Sequence, residues 1–370
     1  MVAIVAGCGG AGQRAPASLD DGDPLAQPET PLAVETLPGT LAVAWPLPLA
    51  RGAAGWLLPY VDGGAVHARF VGDDGARDDR FVDSGALVGA AALGDGFALV
   101  VADGSALRVH FLGGDGSDTV VSAPLDGDAV PVVASDGARV LVAATQGGEI
   151  AADGPLPLTA TLALVDRAGA RAIDLGTVPT APAPWGDARG FIVAGTLLVD
   201  PSGALAPAPG RQVRDARVFR KPIAAGTLPT SDTISLDGGA WLTVDGLVGW
   251  AGRDSDGARL ELVTPDGRAL VEVGDDLTPR AERALPSTTR GDGGQSWIAA
   301  VAGDHVVWGA TVKNDPVFAI LDATAMRPDG AVLHLRNATS RTPIVSPGAA
   351  SLLLAWTEAN GIVRYAVQPW

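Results

Sequence analysis

The sequence predicts an all-β fold, a β-propeller, and two repeated features of the chain support this prediction. From about residue 40, short apolar segments with the two-residue alternation of β-strands follow one another, and segments with a helical period are scarce. A polar turn that ends in glycine also recurs along the chain. Repeats of this size that consist of short strands are typical of propellers, in which each blade is a four-stranded antiparallel sheet.

The repeated turn contains two apolar residues, a polar loop and a glycine, which can adopt positive φ without a steric penalty. The six glycines that close these turns are Gly75, Gly116, Gly169, Gly203, Gly267 and Gly330. They follow one another at intervals of 34 to 64 residues. We interpret each copy as the end of one hairpin in one blade.

A recurring apolar strand supplies the number of blades. Seven such strands begin at Gly55, Gly96, Arg139, Gly190, Trp241, Asp304 and Ser351. We therefore expect seven blades, with six or eight as alternatives. Two separate β-sandwiches are the alternative fold, because two unrelated domains would also show irregular spacing.

The seventh predicted blade contains only two strands, at 351–356 and 362–367. An unpaired strand edge promotes aggregation, so this blade needs further strands. We expect the segment Leu41–Trp45 to supply one of them, so that strands from the two ends of the chain share a blade and close the propeller. Residues 40–370 are assigned to the propeller.

Composition and charge exclude several classes of protein. The chain has 370 residues and a net charge of −16, which disfavours binding to nucleic acid. Its hydrophobic content of 47% excludes disorder of the whole chain. No segment approaches the roughly 18 consecutive apolar residues of a membrane-spanning helix. Cys8 is the single cysteine, so internal disulfides and cysteine-rich zinc sites are excluded.

The sequence Val5-Ala6-Gly7-Cys8 follows an apolar run and resembles the lipobox of bacterial lipoproteins. In that family a peptidase cuts before the cysteine, which is then acylated. The resemblance implies an extracytoplasmic protein that is held at a membrane by a lipid on Cys8. Residue 9 is glycine and not aspartate, which in this family favours the outer membrane.

Two short N-terminal segments follow from the same resemblance. Residues 1–7 are interpreted as a truncated signal peptide, because they are fewer than in an ordinary signal and include no basic residue. Residues 8–39 are rich in Gly, Pro, Ala and acidic residues and show no apolar periodicity. We expect them to form a flexible acidic tether between the membrane and the propeller.

The segment Arg290–Trp297 resembles the Asp-box of sialidases and related propellers, although Arg290 replaces the usual hydroxyl residue. In that family the box is a hairpin turn in which the aspartate caps backbone amides and the tryptophan packs between sheets. The resemblance therefore implies a structural role for Asp292, Gly294 and Trp297.

Motifs for catalysis or cofactor binding are not visible in the sequence. It contains no Gly-x-Ser-x-Gly elbow, phosphate-binding loop or dinucleotide motif, and no two histidines have the spacing of metal ligands. The segment Asp254–Glu261 is similar to a fragment of a calcium loop but lacks two of its ligands. We predict no catalytic residue and no cofactor.

One basic segment departs from the acidic background. Residues 208–232 show little strand character and include four arginines at a spacing of three: Arg211, Arg214, Arg217 and Arg220. On a helix they would lie along one side, whereas an extended chain would divide them between two faces. They are a candidate anion-binding site, because guanidinium groups bind carboxylates and phosphates bidentately. Alternatively, they only offset the surrounding acidic charge.

Two functions therefore remain open from the sequence. The first is a monomeric, lipid-anchored envelope protein whose propeller binds a protein or glycan without catalysis. The second is an extracellular polysaccharide hydrolase or lyase with its site in the central channel of the propeller. We favour the first, because no acid–base pair, metal cluster or nucleophile motif is visible.

Overall fold

The computed structural model describes most of the chain from residue 23 onward. The described ranges are 23–38, 49–53, 55–104, 106–126, 130–147, 150–151, 154–155, 158–178, 185–187, 190–193, 197–200, 202–207, 211–213, 216–219, 231–236, 240–254, 257–286, 296–339, 343–358 and 361–370. They belong to two units. The N-terminal unit is Val34–Pro209 with Asn360–Val367, and the C-terminal unit is Gly210–Ala359 with Met1–Ala33 and Gln368–Trp370.

The N-terminal unit contains four consecutive antiparallel sheets, each of four strands. Sheet 1 is β2 (Ala50–Gly52), β3 (Gly55–Asp62), β4 (Ala65–Gly72) and β5 (Arg77–Ser84); sheet 2 is β6 (Ala86–Leu93), β7 (Gly96–Asp103), β8 (Ala106–Gly113) and β9 (Asp118–Asp126). Sheet 3 is β10 (Val130–Ser135), β11 (Val140–Gly147), β14 (Leu158–Asp166) and β15 (Gly169–Val178), with a small hairpin of β12 (Ile150–Ala151) and β13 (Gly154–Pro155) inserted. Sheet 4 is β16 (Trp185–Asp187), β17 (Gly190–Val193), β18 (Leu197–Val199) and β19 (Leu205–Pro207).

The C-terminal unit repeats this arrangement with three four-stranded sheets. Sheet 5 is β20 (Arg211–Val213), β21 (Ala216–Phe219), β22 (Asp232–Ser235) and β23 (Leu242–Val244); sheet 6 is β24 (Leu247–Asp254), β25 (Gly257–Thr264), β26 (Gly267–Gly274) and β27 (Pro279–Ala284). Sheet 7 is β28 (Ser296–Ala302), β29 (His305–Val312), β30 (Asp315–Asp322) and β31 (Pro328–His334). The unit also contains a 3-10 helix, Pro24–Ala26, and the antiparallel pair β32 (Ile344–Pro347) and β33 (Ser351–Thr357).

The second strand of the longer sheets is buried on both faces. In β3, seven of eight residues are buried, and in β33 six of seven. Such a strand needs an apolar neighbour on each side, which explains its continuous apolar sequence. The neighbours within each unit are the adjacent sheets: Leu57 of sheet 1 and Leu99 of sheet 2 share one apolar core, and Trp308 of sheet 7 and Trp250 of sheet 6 share another.

Strands from the two ends of the chain pair within the N-terminal unit, as predicted. The strand β1 (Glu35–Thr36) is antiparallel to β34 (Val363–Pro369), with Glu35 opposite Tyr365. Leu37 extends this pairing, because its amide donates to the Val363 carbonyl at 3.0 Å. The predicted partner segment Leu41–Trp45 lies outside the described residues, so the closing strand starts six residues earlier than expected.

Part of the segment expected to be a tether packs against the C-terminal unit. Leu25 is only 6% exposed and belongs to the apolar core of sheets 6 and 7. Glu29 accepts hydrogen bonds from His334, at 3.1 Å, and from Arg336, at 2.6 Å. The hydrogen bond from His334 is the main cause of the lowered pKa of Glu29. Within the predicted 8–39 tether, residues from Asp23 onward are therefore part of the folded body.

The repeated glycine turn joins the third and fourth strands of sheets 1, 2 and 4. Gly75, Gly116 and Gly203 close these turns with φ of 78°, 90° and 78°. In each loop an aspartate side chain accepts a hydrogen bond from the backbone amide of a residue two to four positions further along the chain. In sheet 1, Asp74 accepts from the Ala76 amide at 2.9 Å. The interpretation of these three copies as hairpin ends is confirmed.

Two other predicted copies of the turn do not lie between a third and a fourth strand. Gly267 begins the third strand of sheet 6, and Gly330 lies within the fourth strand of sheet 7. At the equivalent third-to-fourth turns the positive φ belongs to Leu277, at 61°, and to Met326, at 52°. Because these turns use a non-glycine residue, a glycine pattern could not locate them.

One sheet more than predicted lies between residues 190 and 312. The sequence placed strand starts at Gly190, Trp241 and Asp304, whereas the second strands of sheets 4 to 7 are β17, β21, β25 and β29. The Trp241 segment is the fourth strand of sheet 5, and β20 and β21 occupy the region interpreted as an insertion. The apolar strands thus have eight starts where the sequence predicted seven.

Glu261 gives a pH test of this packing. Its side chain is 3% exposed, and burial raises its pKa although the ion pair with Arg268, at 2.7 Å, opposes the rise. The folded protein therefore binds this proton more tightly than the unfolded chain. As pH falls from the raised pKa to the ordinary one, wild-type stability relative to Glu261→Gln should increase.

Denaturant unfolding across a pH series measures this difference. Asp95→Asn is the control of opposite sign, because the hydrogen bond from Arg167 lowers the pKa of Asp95. Relative to that variant, wild-type stability should decrease as pH falls through the lowered pKa. A difference between wild type and Glu261→Gln that does not change with pH would contradict the burial argument.

Candidate functional site

Three aromatic rings lie side by side on one face of sheet 1. Tyr60, His67 and Phe81 are opposite one another on β3, β4 and β5. The rings of Tyr60 and His67 are stacked with centroids 5.1 Å apart, and the Phe81 ring is edge-on to His67 at 5.9 Å. The exposed fraction rises from 5% at Tyr60 to 62% at Phe81. This aromatic row therefore runs from the core to the surface.

A bidentate ion pair lies beside the aromatic row. Arg69 and Asp79 are opposite one another, two residues along β4 and β5 from His67 and Phe81, and so share their face. Arg69 donates from Nε to Oδ1 at 2.9 Å and from Nη2 to Oδ2 at 2.7 Å. The Tyr60 hydroxyl donates to Asp79 Oδ1 at 3.3 Å. The Arg69 side chain is 11% exposed and that of Asp79 is 41% exposed.

Arg69 also connects sheet 1 to the paired terminal strands of the same unit. Its Nη1 donates to the Tyr365 hydroxyl at 3.2 Å and to the Thr36 carbonyl at 3.4 Å. Tyr365 in turn donates to Glu35 Oε2 at 2.8 Å, and Arg77 forms an ion pair with Glu35. Burial alone lowers the pKa of Arg69, but its hydrogen bonds to Asp79 and Tyr365 outweigh this and raise it. The guanidinium is therefore a permanently charged link.

The two tyrosines have carboxylate partners that the sequence did not reveal. Tyr60 donates to Asp79, and Tyr365 donates to Glu35. Both side chains are buried, with Tyr365 only 1% exposed. Burial, reinforced by the charge of Asp79, raises the pKa of Tyr60, so its hydroxyl keeps its proton. These groups can hold and orient neighbouring side chains, and the surface they support is suited to binding.

A second polar cluster joins sheets 1 and 2. His110 is 3% exposed, and its Nε2 and Nδ1 lie 2.9 Å from Asp83 and 3.1 Å from Asp118. Arg108 donates to Asp83 at 2.7 Å. Burial raises the pKa of Asp83, but hydrogen bonds from His110, Ser84 and Arg108 outweigh it and lower the pKa. His110 is therefore buried between a carboxylate of β5 and a carboxylate of β9.

The structure brings few of the residues proposed from sequence into view. Cys8, Arg214, Arg220, Asp292 and Gly294 lie outside the described residues. The backbones of Arg211 and Arg217 are in the antiparallel strands β20 and β21, so this part of the basic segment is extended and not helical. Anion binding by the arginines remains a prediction.

Trp297 and Glu261 both have structural contacts. Trp297 is half-buried in β28 and packs edge-to-face on Phe318 with ring centroids 6.1 Å apart. Glu261, part of the calcium-loop fragment, pairs with Arg268 at 2.7 Å. Over the described part of the chain, no group of three or more His, Cys, Asp or Glu side chains is arranged to hold a metal ion. In the same residues, no helix is long and apolar enough to cross a membrane.

Comparisons with known proteins bear on the fold. No protein-family model matches the sequence, and no curated protein is similar to it in sequence. Among solved structures, the Dos1 propeller matches with a TM-score of 0.50 and 10% identity, over 94% of this chain and 96% of that one. The fold is a β-propeller. A structure described as the eukaryotic initiation factor also matches, with a TM-score of 0.41 and 9% identity, over 84% of this chain and 95% of that one.

Arg69 provides a stability test of the β-propeller's terminal pairing. Arg69→Ala removes a mostly buried guanidinium that hydrogen-bonds two side chains and a carbonyl, and should lower the free energy of unfolding by about 2 to 4 kcal/mol. Asp95→Asn, which removes the exposed pair with Arg167, should leave it almost unchanged, because exposed ion pairs contribute little to stability. Chemical denaturation measures both. Equal effects of the two substitutions would show that Arg69 does not fix the terminal strands.

Proposed function

We propose that this chain is a lipoprotein of the bacterial cell envelope, anchored through Cys8 in the outer membrane, and that its β-propeller binds a protein or glycan without catalysing a reaction. The anchoring is supported by the lipobox-like sequence Val5-Ala6-Gly7-Cys8. Binding is supported by the aromatic row, in which a phenylalanine that is 62% exposed continues a series of packed rings.

The surroundings of Phe81 favour binding over a chance exposure. The His67 ring packs against Phe81, and the bidentate Arg69–Asp79 pair lies beside them on the same face of sheet 1. A ligand that contacts this surface meets side chains that are already ordered, so little conformational entropy is lost on binding. Exposed aromatic residues on such a support are frequent anchors of binding sites.

Lipidation predicts a specific dependence on Cys8. In a bacterial host that processes lipoproteins, the full chain should incorporate an alkyne-labelled fatty acid and fractionate with membranes. Cys8→Ser should lose the label and move to the soluble fraction, because the lipid on Cys8 is the only anchor proposed. Intact-mass analysis completes the measurement. Wild-type protein that is soluble and carries an unmodified N-terminal methionine would contradict the anchoring.

Binding predicts a dependence on Phe81 that is independent of the anchor. Full-length Cys8→Ser protein should co-sediment with isolated bacterial cell envelopes, and the additional change Phe81→Ser should weaken retention at least tenfold, as for a central aromatic contact. The matched control is Leu205→Ser, which also removes an exposed apolar side chain (43%) from the fourth strand of a sheet. Equal retention of both variants would exclude the aromatic row as the contact.

A further inference from the structure

We infer that the aromatic row is a subsite for a neutral saccharide, with Phe81 against the sugar ring and His67 and Asp79 hydrogen-bonded to its hydroxyls. This inference rests on the proposed binding function and names the ligand class of the same site. The three groups share one face of sheet 1 and are adjacent in register on β4 and β5.

The Phe81 ring offers the apolar part of such a subsite. It is 62% exposed, and its plane lies at 77° to that of the His67 ring with the centroids 5.9 Å apart, so much of the ring is open to solvent. The face of an aromatic ring carries partial negative charge and attracts the weakly positive C–H groups of a pyranose. One ring can cover one sugar unit in this way.

The ring nitrogens of His67 offer the first polar contact. His67 is half-buried, and its contacts among the described residues are the rings of Tyr60 and Phe81. In this part of the molecule neither of its nitrogens has a hydrogen-bond partner. A neutral imidazole presents one donor and one acceptor, which matches a hydroxyl group that can do both.

Asp79 offers the second polar contact. A carboxylate has about four lone-pair sites. Arg69 occupies two of them through its bidentate pair and the Tyr60 hydroxyl occupies a third. With the side chain 41% exposed, the remaining site can accept a hydroxyl from solvent or ligand. Arg69 holds this carboxylate in place, so the acceptor is oriented before the ligand arrives.

Charge around the row favours a neutral ligand. Charged side chains of β4 and β5 form ion pairs, as in Arg69–Asp79, Arg77–Glu35 and Arg80–Asp78. An ionic partner would compete with these pairs. The net charge of −16 also repels anionic polymers. A ligand rich in hydroxyls can use the paired groups as they are.

The size of the apolar patch favours a saccharide over a protein. A stable protein interface covers about 800 Å² on each side and has an apolar centre. Phe81 is the one aromatic among the large apolar side chains that are exposed in the described residues, and charged residues adjoin it at positions 78 to 80. One aromatic ring with flanking hydrogen-bonding groups matches a sugar unit better than a protein surface.

Titration of full-length Cys8→Ser protein with neutral hexasaccharides tests the inference. The probes are cellohexaose, maltohexaose, mannohexaose and chitohexaose, followed by saturation-transfer NMR and calorimetry. At least one should bind, with an affinity that is unchanged between low and high salt, because no net charge is involved. Phe81→Ser should weaken that binding at least tenfold, Phe81→Trp should retain or strengthen it, and Leu205→Ser should leave it unchanged.

The possible failures are distinguishable. Binding to a hexasaccharide that is equal in wild type and in a Phe81→Ser variant of normal stability would place the sugar elsewhere and overturn the subsite. Envelope retention that depends on Phe81, without binding to any probe, would overturn the saccharide class but leave the binding function intact and indicate a protein partner. Stronger, salt-dependent binding of hexagalacturonate would overturn the preference for a neutral ligand. If the Cys8→Ser protein with Phe81 intact binds neither envelopes nor any hexasaccharide, both proposals are overturned.

Discussion

Burial of strands on both faces is the constraint on which the rest of this structure depends. A strand that is buried on both faces, such as β3 or β33, is stable only between two apolar neighbours. Each added sheet therefore creates the need for another, and the repeat continues along the chain. Polar residues can enter these interfaces only where they are paired, which explains why the buried charges occur as compact clusters.

Three buried polar clusters connect or stabilise different sheets. Arg69 joins sheet 1 to the terminal strands, His110 with Asp83 joins sheets 1 and 2, and Glu261 with Arg268 stabilises sheet 6. Arg69 and Glu261 each pair a buried charge with an opposite one, and Asp83 pairs with Arg108, so a short ion pair offsets the cost of desolvation. Arg69 is bound by both Tyr365 of the terminal strands and Asp79, and Asp79 is partly exposed beside the aromatic row. The candidate site therefore depends on the interface between sheet 1 and the terminal strands.

Much of the fold could be predicted because its signals are local. Apolar runs located six of the seven expected second strands, and glycine turns located the hairpins that end at Gly75, Gly116 and Gly203. Prediction was wrong where a residue other than glycine adopts the positive φ of the turn, as Leu277 does. It was also wrong where strands are very short, as in the three residues of β20. The aromatic row could not be predicted, because it depends on register. A bulge in β5 places Phe81, and not Val82, opposite His67, and no local sequence pattern reveals that shift.

If Cys8 carries the proposed lipid, the packed N-terminal residues limit how far the molecule can lie from the membrane. Asp23 already belongs to the folded body, so only fifteen peptide steps separate it from Cys8. A fully stretched chain of that length spans about 50 Å, which is less than twice the roughly 30 Å diameter of a small domain. A lipid on Cys8 would thus confine the propeller to a layer one molecule deep, within which its ligand must lie.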